Sequence, residues 1–342
     1  MIDVQRLRVL RAVAEYGSFN QAAAALRLTP SAVSQQVAAL ERGLGAQVVA
    51  RSTRGVTLTQ AGRIMVGAAE SVAAEIEFAQ QQVAELRTGR TQLTVATFTS
   101  GGRLLLPAAL TQLTAAHPRT VVHVREGEPE DTLPLVRQGA VDLALAYHFD
   151  GPLPVGPGPS SSLEWTPLLA DPLHVVLPQG HRLADQDALD LNDLAAEPWV
   201  LGCLKTEAYL RRFAEHAGFD PEIRGTTTDY FFARSLVAAG MGISLIPSIA
   251  LAPEIPGLKS VPIKSPGPIR HIGVAAISHR DRPHVTTLVR TLREQAMRHD
   301  GHRFVVGPPK ADQAALSRAV DRDRSVGEAV AVVEPSSRDS SP

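Results

Sequence analysis

Apolar positions along the chain follow two rhythms, and the change between them falls near residue 90. Before it the spacing is helical. Val33, Val37, Leu40 and Leu44 recur every three or four residues and make one apolar face. Thr29 can cap that helix with its hydroxyl, and Pro30 suits its first position, where no amide donor is needed. Just upstream, Ser18 can cap a short helix of small residues over 21–26. Two helices joined by three or four residues predict a helix-turn-helix. A strand over 46–50, a tight turn at Ser52-Thr53-Arg54-Gly55 and a return strand over 56–58 predict a two-stranded wing tipped by Arg54.

Thr59 can cap a long helix over 60–87. Its apolar series, Met65, Ala69, Val72, Ile76, Ala79, Val83 and Leu86, alternates steps of four and three, which predicts a seam for a partner helix. The other outcome is that the seam packs onto its own chain. Gly89 stops the helix, and 88–91 forms a hinge. Beyond it, short apolar runs alternate with helical stretches. Strands are expected over 93–98, 121–125 and 142–147, with helices over 104–117 and 131–138. A crossing strand over 173–177 leads to a second unit, with strands over 199–201, 243–246 and 258–263 and helices over 206–217 and 230–239. A strand over 269–277 returns to the first unit, and a helix over 285–297 closes it. Such alternation predicts parallel pairing through crossover helices. The run 151–162, rich in Gly, Pro and Ser, reads as a surface loop, and 304–342 as a disordered tail.

The expected architecture is therefore α+β and multidomain. It comprises an N-terminal winged helix-turn-helix (1–60), a linker helix for dimerisation (61–90) and a two-lobed α/β domain (91–303). Its first lobe takes about 91–167 and 269–300, and its second about 168–268.

Charge sharpens this picture. Between residues 2 and 63 stand eight arginines (Arg6, Arg8, Arg11, Arg27, Arg42, Arg51, Arg54 and Arg63), no lysine, and only Asp3, Glu15 and Glu41 as acids, while the whole 342-residue chain has a net charge of −1. A basic module in a neutral chain is the footprint of a polyanion partner. On the helix started by Pro30, Ser31, Ser34 and Gln35 lie off the apolar face. Gln can bond adenine bidentately and Ser can serve many base edges or phosphates. Arg51 and Arg54 of the wing can contact phosphate or enter a narrow minor groove. The single cysteine excludes an intrachain disulfide. No basic-then-apolar leader opens the sequence and no run of about eighteen apolar residues occurs, so a cytoplasmic protein without a membrane span is expected.

These residues carry a specific resemblance. "AVAEYGSFNQAAAAL", "TPSAVSQQVAALERGLGAQVVAR" and "GVTLTQAG" resemble the winged helix-turn-helix of LysR-type transcriptional regulators. "LLLPAALTQLTAAHP", "VRQGAVDLAL", "HRLA" and "LVAAGMGISLIP" resemble their effector domain, two lobes like those of periplasmic solute-binding proteins. The resemblance implies a DNA-binding regulator that takes double-stranded DNA and a small-molecule effector as partners, and that assembles as a homodimer and further as a homotetramer. It places Ser34 and Gln35 where the family reads DNA; with Ser18, Thr29, Pro30 and Ser31 around them and Arg51 and Arg54 on the wing, these are the candidate DNA-binding residues. This chain departs from the family in having Pro30-Ser31 where a Gln-Pro pair is common, and Gln35 where Arg is common.

Open α/β sheets bind ligands at the carboxyl ends of their strands. That makes Thr99, Ser100 and Gly101, read as a loop after the first strand, candidates for the effector cleft; resemblance puts the effector site there too. Resemblance sets Glu128 where relatives often carry a hydroxyl residue, which implies a cationic or amine-bearing effector; otherwise it caps a helix. Tyr147 and His148 end a strand, and Cys203, Thr227 and Thr228 stand across the cleft. Cys203 is either a reactive thiol or a small packed side chain. No G-x-S-x-G, P-loop, G-x-G-x-x-G or zinc spacing is present, which predicts no catalysis, no cofactor and no metal. Two further classes stay open: a small-molecule binder whose first ninety residues only oligomerise, and an enzyme working in the cleft.

Overall fold

The computed structural model describes residues 3–52, 55–149, 163–264, 267–277 and 282–300. The expected loop over 151–162 and the expected tail over 304–342 lie outside them. Helix α1 (Val4–Tyr16) is capped by Asp3, whose carboxylate accepts from the Arg6 amide at 2.9 Å, and ends at Gly17 in the left-handed region. Helix α2 (Phe19–Leu26) begins two residues before the expected start, with Ser18 at its N-cap position. Arg27 makes the turn into α3 (Pro30–Leu44) with φ 54, which lets the Leu28 amide donate to Ala23 O at 2.9 Å. The three helices bury Val9, Leu10, Val13, Ala22, Val33, Val37 and Leu40 in one core.

The wing is β1 (Val49–Ser52) and β2 (Gly55–Leu58), antiparallel with Ser52 opposite Gly55. Its first strand starts three residues later than expected. The reason is Glu41, whose Oε1 accepts from the amides of Val48 and Val49 at 2.9 and 3.4 Å and ties this stretch to α3. Helix α4 (Gln60–Thr88) follows, with Thr59 Oγ1 accepting from Gly62 N at 3.0 Å and donating to Gln47 O at 2.7 Å. A Cβ at Gly62 would overlap the Val48 carbonyl, so only glycine lets α4 leave the wing this closely. The expected seam on α4 is split. Met65 packs into the helical core, and Ala69 is buried as α4 runs along α1, while Ile76, Val83 and Leu86 stay exposed. Ala74 packs against the α/β region beyond.

That region holds β3 (Thr91–Thr97), α5 (Thr99–Ala116), β4 (Thr120–Glu126), α6 (Pro129–Arg137), β5 (Leu143–His148) and β6 (Leu163–Pro178). The chain continues through β7 (Pro198–Leu201), α7 (Leu204–Ala217), β8 (Glu222–Thr226), α8 (Tyr230–Ala238), β9 (Ser244–Pro247), β10 (Leu258–Pro262), β11 (Ile269–Ile277) and α9 (Pro283–Asp300). Strand β3 pairs parallel with β4 and β5, as crossover helices require, and β11 returns antiparallel between β5 and β6. The sheet order is β10-β6-β11-β5-β3-β4, with β9 also on β6. Strand β6 spans both units: Leu163–Pro172 pairs with β11, and the rest pairs with β9 and β10. It begins ten residues earlier than the pattern predicts, because Glu164 and Pro167 are exposed and break the apolar run. Strand β8 was not expected at all; it is polar, and its pairing with β7 is tertiary. Leu93, Val95, Leu105, Leu145 and Leu292 centre one core, and Leu173, Val175, Trp199, Leu210 and Leu245 another.

Candidate DNA-reading face and effector cleft

On α3 the buried side is dry and apolar, and the outer side is short and polar. Val33, Val37 and Leu40 are at most 1% exposed, whereas Ser31, Gln35 and Arg42 are exposed and lie four and seven residues apart on one stripe. Ser34 is half-buried beside them. Thr29 is exposed and caps the helix, its Oγ1 accepting from Ala32 N at 3.2 Å and lying 3.0 Å from Ser31 Oγ; Pro30 is exposed at the first position. Ser18 is half-buried and makes no side-chain cap bond. The backbone of Arg51 pairs with Val56; its side chain, and Arg54 entirely, lie outside the described residues. Two of the three local acids are engaged within the module: Asp3 pairs with Arg6 at 3.1 Å, and Glu41 holds backbone amides, while Glu15 is exposed. This leaves exposed Arg8, Arg27, Arg42 and Arg63 to set the sign of the surface potential.

In the α/β region several expected residues meet, around a group that the sequence did not point to. Strands β6 and β11 set Asp171 directly opposite Arg270. Both are buried. Arg270 Nε and Nη2 donate to Asp171 Oδ2 at 3.0 and 2.6 Å, and Nη2 also donates to Ser100 Oγ at 3.0 Å. Asp171 Oδ1 accepts from Ile249 N at 3.0 Å. Burial pulls the Arg270 pKa down, and the adjacent Asp171 carboxylate outweighs it, so the guanidinium is held charged above its ordinary value. The rings of Phe98, Tyr147 and Tyr230 surround that cation at 5.0, 4.8 and 5.8 Å.

Tyr147 Oη donates to Glu128 at 2.7 Å and lies 3.9 Å from Cys203 Sγ; burial, followed by Cys203 and Glu128, raises its pKa. Tyr230 Oη is 3.2 Å from Thr206 Oγ1, and Gly202 is glycine because a Cβ there would strike the Tyr230 ring. Arg103 stacks over Phe231 at 3.6 Å, joining α5 to α8 across the cleft. Ser100, Glu128, Tyr147 and Cys203 thus come together around Arg270.

The remaining expected residues sit otherwise. Thr99, Ser100 and Gly101 form the first turn of α5 and not a loop: Gly101 and Gly102 are needed for helix packing, since a Cβ at either would crowd Phe98 or Thr97. Thr99 turns outward and donates to Glu126 Oε1 at 2.6 Å. Glu128 occupies the N-cap position of α6, but its carboxylate makes no cap bond. His148, next to Tyr147 on a strand, points to the opposite sheet face and stacks on His271 at 5.2 Å. Thr227 spends its hydroxyl on Asp229, which caps α8, and Thr228 is exposed. Arg270, Asp171 and Tyr230 were missed. The one available signal was a lone arginine in an apolar strand; its partner lies 99 residues away.

Residues 4–63 match the family described as bacterial regulatory helix-turn-helix protein, lysR family, and residues 87–297 match the LysR substrate binding domain. The chain belongs to the LysR family. It is a DNA-binding transcriptional regulator with an effector-binding domain. Among its relatives, the dual regulator OxyR of Escherichia coli K12 is 29% identical over 286 residues, 80% of this chain and 88% of that protein. A probable hydrogen peroxide-inducible genes activator of Mycobacterium avium is 30% identical over 284 residues, 81% and 88% of the two chains. A cysteine mutant of Corynebacterium glutamicum OxyR superposes with TM-score 0.53 at 25% identity, over 88% of this chain and 93% of that one. Full-length BenM superposes with TM-score 0.53 at 24% identity, over 90% of this LysR regulator and all of BenM, which speaks for the shared fold. No described helix is long and apolar enough to cross a membrane.

Proposed function

We propose that this LysR regulator reads its operator with the exposed stripe of α3 and senses its effector at the buried Arg270 cluster. The observation that carries the first half is the two-sided α3. Val33, Val37 and Leu40 anchor it, so Ser31, Ser34 and Gln35 project outward from a rigid rod narrow enough for a major groove. Ser18, Thr29, Pro30, Arg51 and Arg54 serve the phosphates, which orient the head without reading sequence. In this reading 1–60 bind DNA and 61–90 join two copies through Ile76, Val83 and Leu86. Residues 91–303 bind effector, and the protein works in the cytoplasm without catalysis. The dimer pairs further into a tetramer.

For the cleft, the observation is that one ion pair touches both units. Asp171 holds the Ile249 amide and Arg270 holds Ser100, so a ligand entering between Ser100, Glu128, Tyr147 and Cys203 has to rearrange bonds on both sides. A ligand favours one arrangement only by its differential affinity for the two. Relatives named for hydrogen peroxide induction favour a second reading, with Cys203 as the responding group. With one cysteine in the chain, such a response could not end in an intrachain disulfide.

Anisotropy titrations on the chain's own upstream duplex and on a random duplex test the first half. Gln35→Ala is expected to weaken specific binding about tenfold and to leave random binding unchanged. Equal loss on both duplexes would remove Gln35 from base reading. Peroxide added to wild type and Cys203→Ser separates the two effector readings: a change in operator affinity confined to wild type favours the thiol.

A further inference from the structure

Away from the cleft, α4 and the first α/β unit border a half-open cavity of about 260 Å³. Phe78, Gln81 and Glu85 of α4 form one wall; His117 at the end of α5, with Arg282 and His284 at the start of α9, forms the other. Its size is just below the roughly 300–1,000 Å³ of sites for drug-sized ligands, which suits a one- or two-ring molecule. Two polar atoms of the lining residues are buried without a hydrogen-bond partner, Gln81 Oε1 and His284 Nε2, and they come from opposite walls. His284 is only 8% exposed. Buried polar atoms of this kind are uncommon, and as the side chains stand neither atom opens onto the cavity.

The charged groups are already engaged. Arg282 pairs with Asp142 and donates to Gln92 O at 2.9 Å, and Glu85 accepts from Gln92 N at 3.2 Å. Burial, with Arg282 and His117 adding to it, pushes His284 down to about 4, so its ring is neutral at pH 7. Phe78, His117, His284 and the Arg282 guanidinium are all planar. We infer that this cavity is a ligand site for a small, flat, uncharged nitrogen heterocycle of nucleobase size, bridging Gln81 and His284. Turns about the soft terminal torsions of Gln81 and His284 bring Oε1 and Nε2 to the cavity, where the ligand satisfies both. On α4, Gln81 lies about 140–160° around the helix from Ile76, Val83 and Leu86, so pairing through those residues leaves the cavity open. An occupant ties the linker helix to the sensing domain and biases the pitch at which the DNA-binding heads are held. The site is independent of the cleft.

Saturation-transfer NMR on the full-length protein with adenine, uracil and nicotinamide as probes tests this. At least one probe is expected to bind wild type and Gln80→Ala, a variant on the exposed side of α4 away from the cavity. Gln81→Leu is expected to weaken that binding roughly fivefold, the loss of one neutral hydrogen bond. His284→Phe, which keeps the ring shape, is a second arm should Gln81→Leu melt differently from wild type by circular dichroism. No transfer to any probe overturns the inference. So does binding that survives both substitutions, because the probe then sits elsewhere, the cleft included.

Discussion

Arg270 and Asp171 face each other across two strands, fully sheltered from water, and their bonds reach Ser100 on one side and Ile249 on the other. A buried pair of this kind adds little net stability, but removing one partner strands a charge. Arg270→Met is therefore expected to cost about 3–5 kcal/mol, and adding Asp171→Leu to recover much of it, as read from urea unfolding. An equal loss in the double variant would mean that packing, and not charge, governs the site. His284 gives a pH signature. Its folded pKa of about 4 lies below the ordinary 6.5, so between those values the unfolded chain binds the extra proton. Stability from this residue is complete above pH 6.5 and is lost as pH falls toward 4, by up to about 3 kcal/mol. His284→Phe should flatten the pH slope of the melting temperature over that window; an unchanged slope would assign it to other groups. Position at strand ends and the family resemblance suggested Ser100, Glu128, Tyr147 and Cys203 as cleft candidates, but no residue-level rule pairs Arg270 with Asp171, since neither is unusual until the strands meet.

Among the elements, α4 carries the most consequence. Its start is locked by Gly62 against the Val48 carbonyl, so Gly62→Ala is expected to destabilise the N-terminal module by about 1–3 kcal/mol. A melting temperature unchanged by that substitution would show that wing and helix separate freely. At its far end Val83 is 58% and Leu86 87% exposed. Leu86→Asp is expected to shift sedimentation toward monomer, and a distribution identical to wild type would place the oligomer contact elsewhere. Periodicity found α4 to within a residue, because Thr59 and Gly89 mark both ends with capping chemistry. The same periodicity could not say which part of the apolar stripe is covered. Met65 and Ala69 obey the same spacing as Ile76 and Val83, and only the path of α1 distinguishes them.

At the scale of the molecule, regulation needs the two α/β units to hold more than one arrangement. Three contacts oppose movement in the form described: Ser100 to Arg270, Tyr147 against Cys203, and Arg103 over Phe231. The last is nearest the solvent. Phe231→Ala removes about 0.5–1 kcal/mol of cation–π attraction and is expected to speed hydrogen exchange in both α5 and α8. Exchange altered in α8 alone would mean that the contact does not link the units. Local sequence was enough for most helices and strands (α1 and β8 excepted), the two-sided α3, the basic head and the family, because each is written in spacing, capping residues or charge within one stretch of chain. Tertiary structure alone decided that β6 would bridge both units, that Thr99 to Gly102 would wind into a helix over Phe98, and that His148 would turn away from Tyr147's partners. It also decided that a buried arginine would stand where a ligand was expected. Those outcomes depend on which strands lie side by side, and the pairing energy that settles this is shared between residues roughly a hundred positions apart.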